Sequence, residues 1–510
     1  MRASHRLAAL AVIAAILGPV PARAMDEYLR ASSSAPTLLG LCGADNAPAS
    51  AGACKELDLV ALTKNIEKAL QASLAKAPPT TRLLLKRDQA WFNEIMLNAA
   101  ESMTQPDDDF RETFVTTLRQ RDATLEGIAQ GIGRPGVAGR WVNAFGSVTV
   151  TPADGGYRLA IDTSAVYGTG SDRRRECKAA ALVKPVPGAW LAGTILPSDP
   201  QPASDDKTAG GNRKSEPKKP PTIKMRRQGE TLRIVVGDQE WRDEARTDCE
   251  YMWQVTASYF ADGKPDAIAA ADKTDTSFVA PTFDCTRPDT ASDEEICADP
   301  DLAENDRKLN RAWKALLPRL DEATRRALTE DQRNWVRSQT NQYPQFLHPA
   351  WEKTTSYMHF TADARDKLDR LQRERIALLD GFDEKRSGFA GIWLGYNAIL
   401  KVTPTDGGLK AEGWKWDQGD WKAGCDYEIS GKVVNGVFRS GQGRKNPDTL
   451  ERDHSSLIVN RQDDVFAKKR DGSDEADEPK CKRNYMNSST ARLFPALPSP
   501  DIDNLGGSIR

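Results

Sequence analysis

The sequence predicts an α+β protein built as a tandem duplication, with a disulfide-clipped helical module followed by a small antiparallel β domain in each half. The first observation behind this prediction is cysteine spacing: Cys42 and Cys54 are 12 residues apart, and so are Cys285 and Cys297. The second is that one shift of 243 residues lays the first pair on the second without a gap. The third is periodicity, because helix-period apolar runs precede alternating, turn-rich runs in both halves.

Residues 1–24 have the pattern of a secretory signal peptide. Arg2 and Arg6 precede an apolar run from Leu7 to Val20, and a small-residue site ends at Ala24. A membrane anchor is the alternative, but it needs a longer apolar span. We therefore expect cleavage after Ala24, export to the periplasm or the medium, and no membrane span in the mature chain.

Charge and length narrow the classes of function. Removal of the signal peptide takes away three arginines and no acidic residue, so the formal charge moves from −2 to −5. A mildly acidic chain with scattered lysines and arginines has no electrostatic basis for binding nucleic acid. A mature length near 486 residues predicts several domains, each with its own core.

Two helical modules are predicted, over residues 36–130 and 281–382. In the later module Leu302, Leu309 and Trp313 recur at helical spacing, and Asp299 lies near the amino end, where the helix dipole favours negative charge. The same shift of 243 residues also lays the Asp-Gln pair at 88–89 on the pair at 331–332. Polar helices over 109–127 and 361–379 lead from each module into the β domain that follows.

Each β domain is predicted from paired alternating runs. The hairpin signal Asp154-Gly155-Gly156 joins two such runs in the first half, and the same three residue types recur 252 residues later at 406–408. We place the first β domain at 136–262, with a mobile loop rich in Pro, Ser and Lys at 197–221. The second β domain is placed at 388–495 and is followed by a tail at 496–510.

Eight cysteines in an exported chain predict a disulfide framework. If each module closes on itself, the pairs are Cys42–Cys54 and Cys285–Cys297 in the helical modules, and Cys177–Cys249 and Cys425–Cys481 in the β domains. The last two pairs follow from corresponding positions in the two halves. Metal binding by thiolates is the alternative, but the sequence lacks a close Cys-x-x-Cys pair. No metal and no cofactor is therefore predicted.

The later helical module also resembles a known family. The residues that carry the resemblance are Asp284-Cys285, Ile296-Cys297, Leu302-Ala303, Asp306-Arg307, Glu330-Asp331-Gln332 and Trp335. Over about 55 residues they are similar to the N-terminal domain of the lysozyme-inhibitor LprI family, and the first module is similar as a diverged copy. The family pattern usually has two further cysteines after this segment, whereas residues 339–343 contain none. The resemblance implies an exported helical domain that binds and inhibits lysozyme or another muramidase.

An acidic segment in the later module is a candidate binding surface. It contains Asp289, Asp293, Glu294 and Glu295. Animal-type lysozyme is basic, so exposed carboxylates here predict an electrostatic contact with such a partner. The alternative is that these carboxylates cap a helix or lie in a solvated loop.

Three tryptophans form a second candidate surface in the later β domain: Trp414, Trp416 and Trp421. Strand alternation puts the first two on one face of the sheet. They are either core residues or an exposed aromatic platform for a glycan or a protein.

The sequence contains no arrangement typical of an enzyme. Only His348, His359 and His454 follow the signal peptide, and none lies in a zinc-protease motif or next to a Gly-x-Ser-x-Gly turn. No glycine-rich phosphate loop follows a predicted strand. We therefore predict an exported, non-catalytic binding protein that occludes a muramidase. The alternative is a cell-envelope binding or scaffold protein that has a glycan or protein ligand and no lysozyme target.

Overall fold

A computed structural model gives the fold of the chain in the residues that it describes. Those residues are 31–43, 48–101, 108–166, 174–196, 222–237, 255–340, 362–417, 420–441, 447–461 and 490–503. The predicted signal peptide and the predicted loop at 197–221 lie outside them, as do Cys249 and Cys481.

Within this part of the chain, a group of helices precedes a closed antiparallel barrel in each half. The helices of the first half are α1 (Ala51–Glu56), α2 (Leu59–Lys76), α3 (Pro79–Glu101) and α4 (Asp108–Gly131). A short helix, α5 (Ala267–Ala271), lies between the halves. Those of the second half are α6 (Ala291–Ala298), α7 (Pro300–Leu316), α8 (Glu322–Thr340), α9 (Ala362–Asp380) and α10 (Pro500–Asp503).

Each half contributes one eight-stranded barrel. The first consists of β1 (Gly139–Asn143), β2 (Gly146–Ala153), β3 (Gly156–Val166), β4 (Arg174–Val186), β5 (Trp190–Ile195), β6 (Thr222–Gln228), β7 (Thr231–Val236) and β8 (Ala257–Ala261). The second consists of β9 (Gly391–Leu394), β10 (Ala398–Thr405), β11 (Gly408–Asp417), β12 (Asp420–Val434), β13 (Val437–Ser440), β14 (Thr449–Asp453), β15 (Ser456–Asn460) and β16 (Thr490–Ala496).

Each barrel closes because its first strand pairs with its last. Trp141 on β1 is the register partner of Ala261 on β8, and Leu394 on β9 is the partner of Phe494 on β16. Closure removes the unpaired edges that an open sheet would expose. The two predicted hairpin turns are confirmed, since strands β2–β3 and β10–β11 are joined at the Asp-Gly turns that the sequence indicated.

A buried tryptophan lies at the start of the first barrel. The indole Nε1 of Trp141 donates to the carbonyl oxygen of Val137 at 2.7 Å. The guanidinium carbons of Arg134 and Arg227 lie 4.6 and 4.8 Å from the ring centroid. The ring is therefore covered by two arginines, within the distance at which cation–π attraction operates.

The second barrel has the same arrangement around Trp393. Its Nε1 donates to the carbonyl of Phe389 at 2.6 Å, and Arg386 and Arg452 lie 5.3 and 4.8 Å from the ring centroid. The two halves thus share strand order and a two-arginine tryptophan site. The tandem duplication itself stays a prediction.

The helices of the second half begin where the sequence indicates. Thr290 and Asp293 form a capping box at the start of α6, and Asp299 caps α7 immediately before Pro300. For α8 the sequence predicts an apolar face of Ala327, Leu328, Trp335 and Val336. The prediction is wrong for Val336, which is 49 % exposed because it lies about 100° around the helix from the buried Trp335.

The hydrophobic core of the first half extends into the second. It joins the first helical group, the interior of the first barrel, and Ala291 and Ala298 of α6. The second half has one core inside its barrel and another where α7, α8 and α9 pack against that barrel. Helix α6 therefore packs against both halves.

Candidate functional site

The acidic segment lies at the junction of the two halves rather than on an open face. Of the four predicted binding carboxylates, Asp289 is exposed, and its backbone oxygen accepts from the N–H of Ala31 at 3.3 Å. Asp293 is half-buried and accepts from the backbone N–H and the hydroxyl of Thr290 at 3.0 and 2.9 Å. Burial raises the pKa of Asp293. Its described bonds are those of a helix cap.

Glu294 joins the second half to the first residues that the structure describes. Its carboxylate accepts from the backbone N–H groups of Ser32 and Ser33 at 3.0 and 2.7 Å. These N–H groups begin a short 3₁₀ turn, where unpaired donors favour a negative charge. Burial raises the pKa of Glu294, although Arg87 acts in the opposite direction.

Two arginines of the first half form ion pairs with Glu295. Nη2 of Arg87, on α3, lies 2.5 Å from Oε2, and Arg233, on β7, donates to Oε1. Burial alone would raise the pKa of Glu295, but the two guanidinium groups outweigh it and hold the pKa below its usual range. Glu295 is therefore an ionised carboxylate enclosed between a helix and a barrel strand.

Asp299 continues this network one turn further along. It accepts from Nε of Arg233 at 3.2 Å and from Nε of Arg365, on α9, at 3.0 Å. The same carboxylate caps α7 by accepting from the backbone N–H of Asp301 at 3.0 Å. Burial opposes ionisation, yet Arg365 and Arg233 hold the pKa of Asp299 well below its usual range.

Asp301 closes the network at the rim of the junction. Its carboxylate accepts from Nζ of Lys224 at 2.5 Å, from the indole Nε1 of Trp190 at 2.8 Å and from Nη2 of Arg365 at 3.2 Å. Strands β5 and β6 of the first barrel and helix α9 thus meet at one aspartate. The ion pairs here remain partly open to solvent.

The expectation of an exposed acidic surface needs correction for two residues. Glu294 is 0 % and Glu295 1 % exposed, so neither carboxylate lies on the surface. The physical reason is that their partners come from chain segments 62 to 262 residues away. Isolated buried carboxylates are unfavourable, but arginine pairs and backbone donors compensate them here.

Sequence reasoning missed the arginines that make this junction. One local signal was present, because Arg233 interrupts the apolar run Thr231–Val236, in which all six residues are buried. An arginine at a core-facing position of a strand indicates a buried acidic partner. The sequence does not show which acid that partner is.

A second buried polar cluster joins α8, α9 and the second barrel. Nη1 of Arg375 donates to Asp331 Oδ2 at 2.7 Å, and Nε donates to Gln332 Oε1 at 2.6 Å. The other carboxylate oxygen of Asp331 accepts from the backbone N–H of Tyr396, between β9 and β10, at 3.0 Å. Trp335 lies under the guanidinium at 5.8 Å.

The first half contains the same cluster. Arg121 pairs with Asp88 at 2.8 Å and donates from Nε to Gln89 at 3.0 Å, while Asp88 accepts from the N–H of Ala144 at 2.7 Å. Burial raises the pKa of Asp88, as it does for Asp331, against the pull of the neighbouring arginine. The Asp-Gln pairs that aligned in sequence thus hold helices to a barrel turn in both halves.

Comparison with protein families decides the identity of the second helical group. Residues 285–379 match the family model described as lysozyme inhibitor LprI. This region is an LprI domain. No curated protein and no solved structure matches the chain. The matched range does not reach the first helical group, so a second LprI domain there stays a prediction.

The motif residues of the LprI domain support its fold. Cys285 and Cys297 form a disulfide, and Asp331, Gln332 and Trp335 surround Arg375 as described above. Each of these contacts joins one element of the domain to another or to the barrel. These residues of the LprI pattern therefore hold the fold of the domain together.

The tryptophan surface is described only in part. Trp414 on β11 is half-buried and packs against the core between the LprI helices and the second barrel. The backbones of Trp414 and Trp416 pair with Asp426 and Gly424 of β12. The side chains of Trp416 and Trp421 lie outside the described residues.

Two of the four predicted disulfides are confirmed, Cys42–Cys54 and Cys285–Cys297. Cys177 is disulfide-bonded, and its predicted partner Cys249 lies outside the described residues. The fourth predicted pair, Cys425–Cys481, also rests on side chains outside them, so these two pairings stay predictions.

Within the described ranges, no three His, Cys, Asp or Glu side chains are grouped as a metal site. The helices of the same ranges include none that is long and apolar enough to cross a membrane.

Proposed function

We propose that this protein is an exported, non-catalytic binding protein that inhibits a lysozyme or another muramidase. The observation that carries the proposal is the LprI domain at residues 285–379. Disulfides in both helical groups support export, because such bonds persist in oxidising compartments. Signal-peptide cleavage after Ala24 is part of the proposal, and amino-terminal sequencing of the exported protein tests it.

The proposed inhibitor acts by occlusion rather than by chemistry. Its most prominent buried carboxylates, Glu295, Asp299 and Asp331, are engaged by arginines that connect parts of the fold. Such pairs serve packing and orientation, and no substrate-sized opening is needed to account for them. An inhibitor of this kind blocks the cleft of its target enzyme without turning anything over.

We assign target binding to the second half, which contains the LprI domain. Asp289 remains a candidate contact because it is exposed. Trp414, Trp416 and Trp421 remain candidates as a platform on β11 and β12. Asp293, Glu294 and Glu295 are given a supporting role, because their bonds are made within the chain.

A lytic assay tests the proposal. The purified mature chain is titrated into an animal-type lysozyme and into a bacterial muramidase acting on suspended cell walls, with heat-unfolded, reduced chain as the control. Loss of lysis that saturates with a defined stoichiometry supports the proposal. Full lysis at a large excess of folded chain contradicts it.

The alternative of a cell-envelope scaffold protein makes a different prediction in the same preparation. A scaffold protein sediments with insoluble cell wall or envelope fragments and leaves lysis unchanged.

The bonds of Asp88, Arg121 and Ala144 in the first half support the further proposal of tandem duplication, in which that half became a structural partner of the LprI domain.

A further inference from the structure

The hairpin between β12 and β13 extends an apolar tip beyond the second barrel. The two strands are joined by Asn435 and Gly436, whose φ angles of 52° and 77° are those of a tight hairpin turn. Val433 and Val434 are 46 % and 51 % exposed. Successive strand residues point to opposite faces, so Val434 lies on the outer face and Val433 on the face that it shares with Phe438, which is buried in the barrel core. Among the described residues, the exposed tip of the hairpin therefore extends past the end of that core.

The outer face of this hairpin combines valines with cations. Lys432 pairs with Arg439 and Val434 pairs with Val437, and residues directly opposite in an antiparallel pair share a face. Lys432 and Arg439 are both exposed. The run from Lys432 to Arg439 contains no acidic residue. Like charges directly opposite each other destabilise a hairpin, so an external pair of anions would stabilise this one.

Among the described residues of the neighbouring strands, no acidic side chain is directly opposite either cation. On β14, Glu451 is opposite Val437 rather than Arg439, and its carboxylate accepts from the Thr449 hydroxyl at 3.3 Å. On β11, the residue beside Lys432 is Gly408, which carries no side chain. The outer face therefore presents two cations about 5 Å apart at their Cβ atoms, next to exposed valines.

A muramidase cleft offers the complementary chemistry. Glycosidases carry two catalytic carboxylates, roughly 5 to 10 Å apart, in a groove that holds a saccharide chain. A two-stranded ribbon is narrow, with strands about 5 Å apart. Resting on the proposed function, we propose that the β12–β13 hairpin is the inhibitory element, with Lys432 and Arg439 facing the catalytic carboxylates and Val434 and Val437 against the wall of the groove.

The first barrel supplies a matched control. Its hairpin at the same place in strand order joins β4 and β5 and carries the exposed Lys184 and Val186. The residue that follows this turn, Trp190, donates to Asp301 of the LprI domain at 2.8 Å. The β4–β5 hairpin is thus fixed at its base by a hydrogen bond to the LprI domain, whereas the β12–β13 tip is exposed.

The test compares inhibition by the full chain and by two hairpin variants, Val434→Ser, and Lys432→Glu with Arg439→Glu. Each is expected to weaken inhibition at least tenfold, and the charge variant to lose most of the salt dependence. The control is Lys184→Glu with Val186→Ser, which should inhibit within twofold of the natural chain. Unchanged thermal midpoints show that each variant is folded, as expected for exposed positions.

The competing outcomes are distinguishable. If the natural chain inhibits and both β12–β13 variants inhibit equally well, the hairpin assignment is overturned while the proposed function stands. A soluble cell-wall saccharide that fills the cleft should compete with the chain. If the saccharide does not reduce binding of the chain to the muramidase, the assignment is also overturned. If the natural chain inhibits no muramidase, the proposed function and the hairpin assignment fail together.

Discussion

Nη2 of Arg87 lies 2.5 Å from Oε2 of Glu295, although the two residues are 208 positions apart, and both side chains are almost fully buried. Arg87 is on a helix of the first half and Glu295 is in the LprI domain, so this pair joins the halves directly. With Arg233 and Asp299 it forms a network that encloses two carboxylates and their arginines in the interior. The acidic segment, which resembled a binding surface in sequence, connects the parts of the molecule.

The first prediction concerns Glu295. Glu295→Ala removes one member of a buried ion network and leaves two arginines without this partner, so we expect a loss of about 3 to 5 kcal/mol in the free energy of unfolding. Denaturant unfolding followed by circular dichroism measures it. Glu322→Ala is the control, because Glu322 pairs with Arg326 on the surface and should change stability by less than about 1 kcal/mol. Equal effects of the two substitutions would contradict the buried network.

Local signals predicted a good part of this structure. The paired 12-residue cysteine spacings gave both disulfides of the helical groups, and the Asp-Gly turns gave the β2–β3 and β10–β11 hairpins. These features depend on residues close together in the chain. The polar helix predicted over 361–379 is likewise observed as Ala362–Asp380.

Features that depend on distant pairing were not predictable in the same way. Barrel closure requires β1 to meet β8, and no local pattern around Trp141 indicates Ala261 as its neighbour. The burial of Glu294 and Glu295 is another example, because acidic residues in the amino-terminal half of a short helix are ordinarily solvated. Only the fold brings Arg87 and Arg233 to them.

The second prediction concerns the separated halves. The sequence predicts that residues 25–280 and 281–510 each fold alone. Because they share buried ion pairs and the packing of Ala291 and Ala298, we expect the two purified halves to bind each other when mixed. Analytical ultracentrifugation measures the complex, and the control is a second half that carries Glu295→Ala with Asp299→Ala. Halves that stay apart at micromolar concentration would contradict the interface.

The third prediction is a pH dependence from Glu374. Burial raises the pKa of this carboxyl to about 8, and its Oε2 has no hydrogen-bond partner among the residues that the structure describes. A folded-state pKa above the ordinary 4.5 means that stability is lost as pH rises through this interval, since folding keeps a proton that the unfolded chain releases. Glu374→Gln should therefore be more stable than the natural chain at pH 7, by roughly 3 kcal/mol.

Urea midpoints between pH 5 and pH 9 measure this effect. The control is Glu330→Gln. Glu330 precedes Asp331 in the sequence, but its side chain is exposed and lies outside the buried cluster. The natural chain and the control should lose stability together as pH rises, while Glu374→Gln should not. Three parallel pH profiles would show that Glu374 does not titrate in this way.

The fourth prediction concerns the disulfides of the barrels. Cys177 is bonded, and we expect peptide mapping without reduction to identify Cys249 as its partner and to find Cys425 joined to Cys481. Each bridge should contribute about 2 to 4 kcal/mol to the free energy of unfolding. A bridge from the first half to the second would contradict the assignment, as would a free thiol in the oxidised protein.

The junction between the halves is tested most directly by a double-mutant cycle on Arg87 and Glu295. The free energy of unfolding is measured for the natural chain, Arg87→Gln, Glu295→Gln and the double variant. If the two side chains stabilise each other across the junction, the loss in the double variant is smaller than the sum of the single losses by about 2 kcal/mol or more. Losses that add to within about 0.5 kcal/mol would show that the residues act independently, and would contradict the assignment of the acidic segment to the interior.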